Sequence, residues 1–82
     1  MSHESRLTRN ERCILECLAR DGGPVQSDTL VMMLWDRAAD EPEWPNAAVR
    51  VHVSNLRKKI APLGLMISSQ PGIGYRLEVK DD

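Results

Sequence analysis

The sequence predicts an α+β fold in which three helices are followed by a C-terminal β-hairpin. Three observations carry that reading. Apolar residues recur at helical spacing in three separate segments, each bounded by residues that start or stop helices. The last third holds two short β-prone runs, "LMISS" and "YRLEV", on either side of "QPGIG". With 82 residues there is room for one domain only. Residues 1–82 are therefore read as a single unit, with 1–6 and 80–82 frayed. One Tyr, two Trp and no Phe are available, so the core must be built from Leu, Val, Ile, Met and Ala. Met32 and Met33 are assigned to that core.

The first helix is predicted near residues 9–20, in "LTRNERCILECLARDGG". Thr8 stands three residues before Glu11, the spacing at which each side chain satisfies the other's backbone N–H. Ile14, Leu15, Cys17 and Leu18 supply an apolar face, and Asp21-Gly22-Gly23-Pro24 ends the helix. Cys13 and Cys17 lie one helical turn apart. A disulfide across that turn would be strained, and the distant His3 and His52 do not complete a zinc site. Both are read as small buried hydrophobes.

Val25-Gln26 has length for only a short extended bridge. Ser27 is taken as the N-cap of the second helix, with Asp28 favourable in its first turn. Leu30, Val31, Leu34 and Trp35 follow at helical spacing, and the helix fades between Asp36 and Ala39. "DEPEWP" then reads as an acidic loop broken twice by proline.

"VRVHVSNLRKKI" is ambiguous over its first five residues, where Val49, Val51 and Val53 alternate as in a strand. In a wider window Val49, Val53, Leu56 and Ile60 form one helical stripe. Pro45 and Asn46 supply a start, Pro62 and Gly64 a stop. Valine costs a helix only a few tenths of a kcal/mol, less than burial of the side chain returns. A third helix over residues 46–61, roughly 24 Å long, is therefore expected. With that stripe inward, Ala47, Val51, Ser54, Asn55 and Lys58 face outward. Arg50, His52, Arg57 and Lys59 flank them. In the hairpin, Tyr75, Leu77 and Val79 alternate, and Pro71, Gly72 and Gly74 suit the turn.

Charge distribution says more than the net charge of −1. Residues 1–43 hold five Arg against nine acids, whereas residues 44–77 hold five cations and no acid. A wholly basic segment in a weakly acidic chain points to a polyanion partner. No apolar run approaches the ~18 residues of a membrane span, and the polar N-terminus has no signal-peptide-like stretch. A cytoplasmic protein with no membrane partner is expected. No nucleophile motif or carboxylate pair sits on the basic face, so neither an enzyme nor a metal or cofactor site is expected.

Three helices, the third basic, and a glycine-containing hairpin are the order of a winged helix-turn-helix. "LTRNERCILECLARDGG", "VRVHVSNLRKKI" and "GIGYRL" resemble, in order and spacing over residues 7–78, the DNA-binding effector domain of OmpR/PhoB-type bacterial response regulators. The "DEPE" loop is similar to the CtrA-like branch. The resemblance implies a sequence-specific, double-stranded DNA-binding transcription regulator, with the third helix in the major groove and the wing near a minor groove. It makes His52, Ser54, Asn55 and Arg57 candidate contacts. Three departures stand out, the first being Ser54-Asn55, where the family often has two basic residues or a Ser-Arg pair. Arg50 occupies a position that is usually acidic in the family. Pro71 replaces the wing arginine, leaving Gln70 or Arg76 to substitute.

The resulting candidate DNA-binding set is Arg50, Val51, His52, Ser54, Asn55, Arg57, Lys58, Lys59, Gln70 and Arg76. Arg50, Arg57, Lys58 and Arg76 are assigned to phosphate. Asn55 is assigned to base edges, with His52, Ser54 and Val51 beside it, Asn55 suiting adenine and Val51 a thymine methyl. Lys58 and Lys59 are read as phosphate neighbours or plain solvated cations, not base readers. His52 is either a DNA contact or a core-edge histidine, and Arg57 is read as shared, bracing the loop ahead of the third helix while touching phosphate. The loop residues Asp40, Glu41, Glu43 and Trp44 form a protein-contact candidate. The resemblance implies RNA polymerase as its partner, and Trp44 is alternatively a packing anchor. Paired binding on direct repeats, as a dimer or in tandem, is also implied. The seven residues ahead of the first helix hold neither the family's preceding sheet nor its receiver domain. A stand-alone regulator is expected over an excised fragment. The competing reading is a winged-helix adaptor or anti-regulator that has lost DNA binding.

Overall fold

The computed structural model describes residues 6–80. Helices α1 (Arg9–Asp21), α2 (Ser27–Leu34) and α3 (Pro45–Ile60) are followed by strands β1 (Leu65–Gln70) and β2 (Gly74–Val79). The three-helix and hairpin arrangement is the α+β winged fold expected from the sequence. Of the stretches expected to fray, residues 1–5, 81 and 82 lie outside the described residues. Arg6 and Lys80 are tied at their backbones: Arg6 O accepts from Lys59 and Lys80 N–H donates to Gly64 O.

Local chemistry sets the helix ends. Thr8 Oγ1 accepts from Glu11 N–H at 3.1 Å while Glu11 Oε1 accepts from Thr8 N–H at 2.9 Å, completing the reciprocal cap. Gly22 closes α1 in the left-handed region at φ 78°, where a side chain is disfavoured. Helix α3 opens on Pro45, whose missing N–H costs nothing at a first-turn position. It runs out through a 3₁₀ turn, Ala61–Leu63, ended by Gly64 at φ 79°.

Ile14 and Leu18 of α1, Leu30 and Val31 of α2, and Val49, Val53, Leu56 and Ile60 of α3 are buried together. Ile67 and Tyr75 of the hairpin close that core. The α3 stripe is fully buried along its length, so helical period overrides the five-residue alternation at its start. Val25 forms the short extended bridge: its N–H donates to Tyr75 O at 2.7 Å and its O accepts from Tyr75 N–H at 2.8 Å. These two bonds anchor the root of the wing to the α1–α2 connection. Gly74 is required there, because a Cβ at that position would lie 2.3 Å from Val25 O.

Four expectations are corrected. Ser27 is the first residue of α2 and not its N-cap; Gln26 holds that place without a side-chain cap bond. Ser27 Oγ instead donates to Asn46 Oδ1 at 2.6 Å, joining the starts of α2 and α3. Met32 and Met33 are exposed, at 72% and 48%, because α2 turns Leu30 and Val31 toward the core. Val79 is exposed, so the inward alternation of β2 fades toward its end. Cys13 and Cys17 are free thiols and only half-buried.

Candidate nucleic-acid interface

Helix α3 offers an outward ridge because its inward stripe is committed to the core. Ala47, Val51, Ser54, Asn55 and Lys58 are all exposed along it, with Arg50 exposed beside them. Val51 is 58% exposed, an aliphatic side chain set among polar and cationic neighbours. No acid lies on α3 at all. Three cations in its last turn also complement the negative end of the helix dipole.

The flanking residues divide by what they touch. His52 is half-buried: Asn10 Nδ2 lies 3.3 Å from its Nε2, and its ring is tilted 42° against Trp35 with centroids 6.2 Å apart. It faces the α1–α2 side and stands apart from the outward ridge. Contrary to expectation, Arg57 does not brace the loop ahead of α3 but donates its Nε–H to Ile67 O at 2.9 Å, fastening α3 to β1. That bond uses one of five guanidinium donors.

Lys59 is committed elsewhere. Its Nζ lies 2.8 Å from Glu11 Oε1 and 3.1 Å from Arg6 O, the only ion pair among the described residues. The Glu11 side chain is 3% exposed and that of Lys59 22%. Burial alone raises the Glu11 pKa, but the hydrogen bond from Lys59, the Thr8 N–H and the ammonium charge outweigh it. The carboxyl therefore titrates below its ordinary range. These contacts make Lys59 part of the scaffold that sets α3 against α1.

The wing meets the start of α3 across a cleft of about 440 Å³, lined in part by Ser27, Asn46, Arg50, Gln70, Pro71 and Ile73. Arg50 and Gln70, distant in sequence, thus share one concavity. At the wing tip Ile73 N–H donates to Gln70 O at 2.9 Å, with Pro71 and then Gly72 at φ 77° between them. Those features describe a type II turn. Arg76 is exposed on β2 opposite Ser68. Ser68 Oγ donates to Glu78 Oε2 at 3.1 Å, holding that acid against the strand pair.

Asp40, Glu41, Glu43 and Trp44 are exposed ahead of α3. Trp44, 71% exposed, is not a packing anchor. It acts through its backbone, as the α3 N-cap whose carbonyl accepts from Ala48 N–H. Sequence reasoning passed over Asn46 and Ile73 as members of the cleft. Asn46 was legible as a helix-start residue, and Ile73 as the residue after Pro-Gly in a turn.

Among the described residues no cluster of His, Cys, Asp and Glu is arranged to hold a metal. No helix there is long and apolar enough to cross a membrane. Residues 2–77 match the family described as transcriptional regulatory protein, C terminal. The chain belongs to that family. It is an OmpR/PhoB-type winged-helix domain, and the family's partner is DNA. A comparison with curated proteins finds no match. In this regulatory domain the acid-free α3, its exposed ridge and the wing beside it supply a surface suited to a polyanion.

Proposed function

We propose that this domain is a sequence-specific, double-stranded DNA-binding transcription regulator that lays α3 in the major groove and its wing along an adjacent minor groove. The observation that carries the reading is the outward ridge of α3, exposed from Ala47 to Lys58, without an acid and with Asn55 at its centre. Arg50, Lys58 and Arg76 have exposed side chains outside the ion pair found among the described residues, and with Arg57 they set affinity and register on phosphate. Asn55, with Ser54 and Val51, reads base edges. His52 contributes by holding the α1–α3 junction.

Three to four phosphate contacts correspond to a log–log salt slope of about −3, so affinity falls roughly 60-fold from 50 to 200 mM salt. A single copy therefore binds weakly, which favours two copies on direct repeats. The exposed Asp40, Glu41, Glu43 and Trp44 lie beside the helix and suit contact with RNA polymerase. Selection from a random duplex pool, followed by salt-titrated binding, tests the assignment. Asn55→Ala relaxes base preference by about 1–3 kcal/mol, whereas Lys58→Ala weakens all sequences alike and flattens the slope by about 0.9. Equal effects from both changes contradict it.

A second reading, a winged-helix adaptor without DNA binding, is favoured by the exposed Met32, Met33 and Trp44. It requires that no salt-dependent binding to duplex occur.

A further inference from the structure

The wing tip of the proposed interface carries no charge. From Gln70 to Tyr75 there is neither acid nor base, and Ile73 is 51% exposed beside the exposed Pro71. Ile73 lies outside the buried core, half-exposed on the rim of the cleft. Its place is also fixed. Pro71 and Gly72 form the two central positions of the turn closed by Ile73 N–H on Gln70 O. Immediately behind it, Tyr75 exchanges both backbone hydrogen bonds with Val25. The tip is thus a short, stiff projection on a braced root, and it shares the rim of one cleft with Arg50 of α3.

Resting on the DNA-binding reading above, we infer that Pro71 and Ile73 enter the minor groove as an uncharged apolar wedge. The wing then selects DNA through the deformability of one base step. A minor groove about 6 Å wide admits a turn of this kind. Apolar side chains there act by partly unstacking a step, which is least costly at pyrimidine–purine steps such as TA and CA. The cleft carries one carboxylate, Asp28, and one guanidinium, Arg50, so its own charge is balanced. Continuity of the wing tip with the acid-free ridge of α3 through Arg50 favours duplex over a protein as the occupant.

The test uses the full chain and duplexes recovered from random-pool selection, with 2-aminopurine placed at successive steps flanking the selected site. The wild-type chain should raise fluorescence at one step, a pyrimidine–purine step. Ile73→Ser should abolish that rise and weaken binding about tenfold, the scale of returning one half-exposed isoleucine to water, with the salt slope unchanged. Ile73→Leu should retain both properties. Pro71→Arg should steepen the slope by about 0.9. Far-UV circular dichroism establishes that each variant is folded. Binding without unstacking at any step, or an Ile73→Ser chain that binds and unstacks like wild type, overturns the wedge and leaves DNA binding standing. Absence of binding to any duplex at low salt overturns both.

Discussion

Replacing Lys59 with methionine keeps most of the side chain's length and removes its charge, which isolates the Lys59–Glu11 pair. Breaking a fully buried ion pair costs about 3–5 kcal/mol, because the surviving charge is left desolvated. Here Glu11 is almost wholly buried, retains the Thr8 N–H, and faces a partner that is 22% exposed. Water can reach that side, so the expected loss is roughly 2–3 kcal/mol. A chain of this size has a total stability of roughly 4–12 kcal/mol. The loss then corresponds to a fall of about 10–20 °C in Tm. Thermal and urea unfolding followed by circular dichroism measure it, with Lys58→Met as the exposed control, whose lost helix-dipole charge lowers Tm by only about 2–5 °C.

The pH dependence carries the sign of the effect. Glu11 titrates lower when folded than when unfolded, so its contribution is complete above its unfolded pKa of about 4.3. It is lost as pH falls through the lower folded value. The gap between wild type and Lys59→Met should therefore narrow below about pH 4. At a temperature where Lys59→Met is folded, its DNA salt slope should equal that of wild type. A Tm change under about 2 °C, or a slope flattened as by Lys58→Ala, would refute the scaffold role.

Gly74→Ala should destabilise the domain by about 2 kcal/mol or more. The residue sits at φ 136°, and its new Cβ would meet Val25 O. Faster amide exchange at Val25 and Tyr75 would report the loosened wing root. Arg57→Ala should remove the hydrogen bond to Ile67 O and cost about 1–2 kcal/mol in urea unfolding. Its additional loss of DNA affinity, measured at a temperature where it is folded, should be uniform across sequences.

What was legible in the sequence follows the range of the interactions involved. The Thr8–Glu11 cap is local, spanning three residues, and spacing alone identifies it. The α3 stripe was legible because four apolar positions at helical period outweigh a brief alternation, and burial of all four bears this out. Helical phase sets Lys58 outward and Lys59 on a flank, but the pairing of Lys59 with Glu11 was not legible, since that partner is 48 residues away. His52 likewise meets Asn10 across 42 residues. Hydrophobicity without helical phase does not place Met32 and Met33, since α2 buries its Leu30–Val31 side and leaves both methionines exposed. The cleft between α3 and the wing depends on the Val25–Tyr75 bridge, whose second strand was visible but whose pairing was not.

The central claim is that the outward ridge of α3, and not the methionine-bearing face of α2, meets the partner. Backbone amide NMR of the full chain titrated with a selected duplex tests it most directly. The expected result is that the largest shifts fall between Arg50 and Lys58 and at the wing tip from Gln70 to Ile73, with Met32 and Met33 unmoved. Shifts confined to Met32, Met33 and Trp44, or none at low salt, would contradict it.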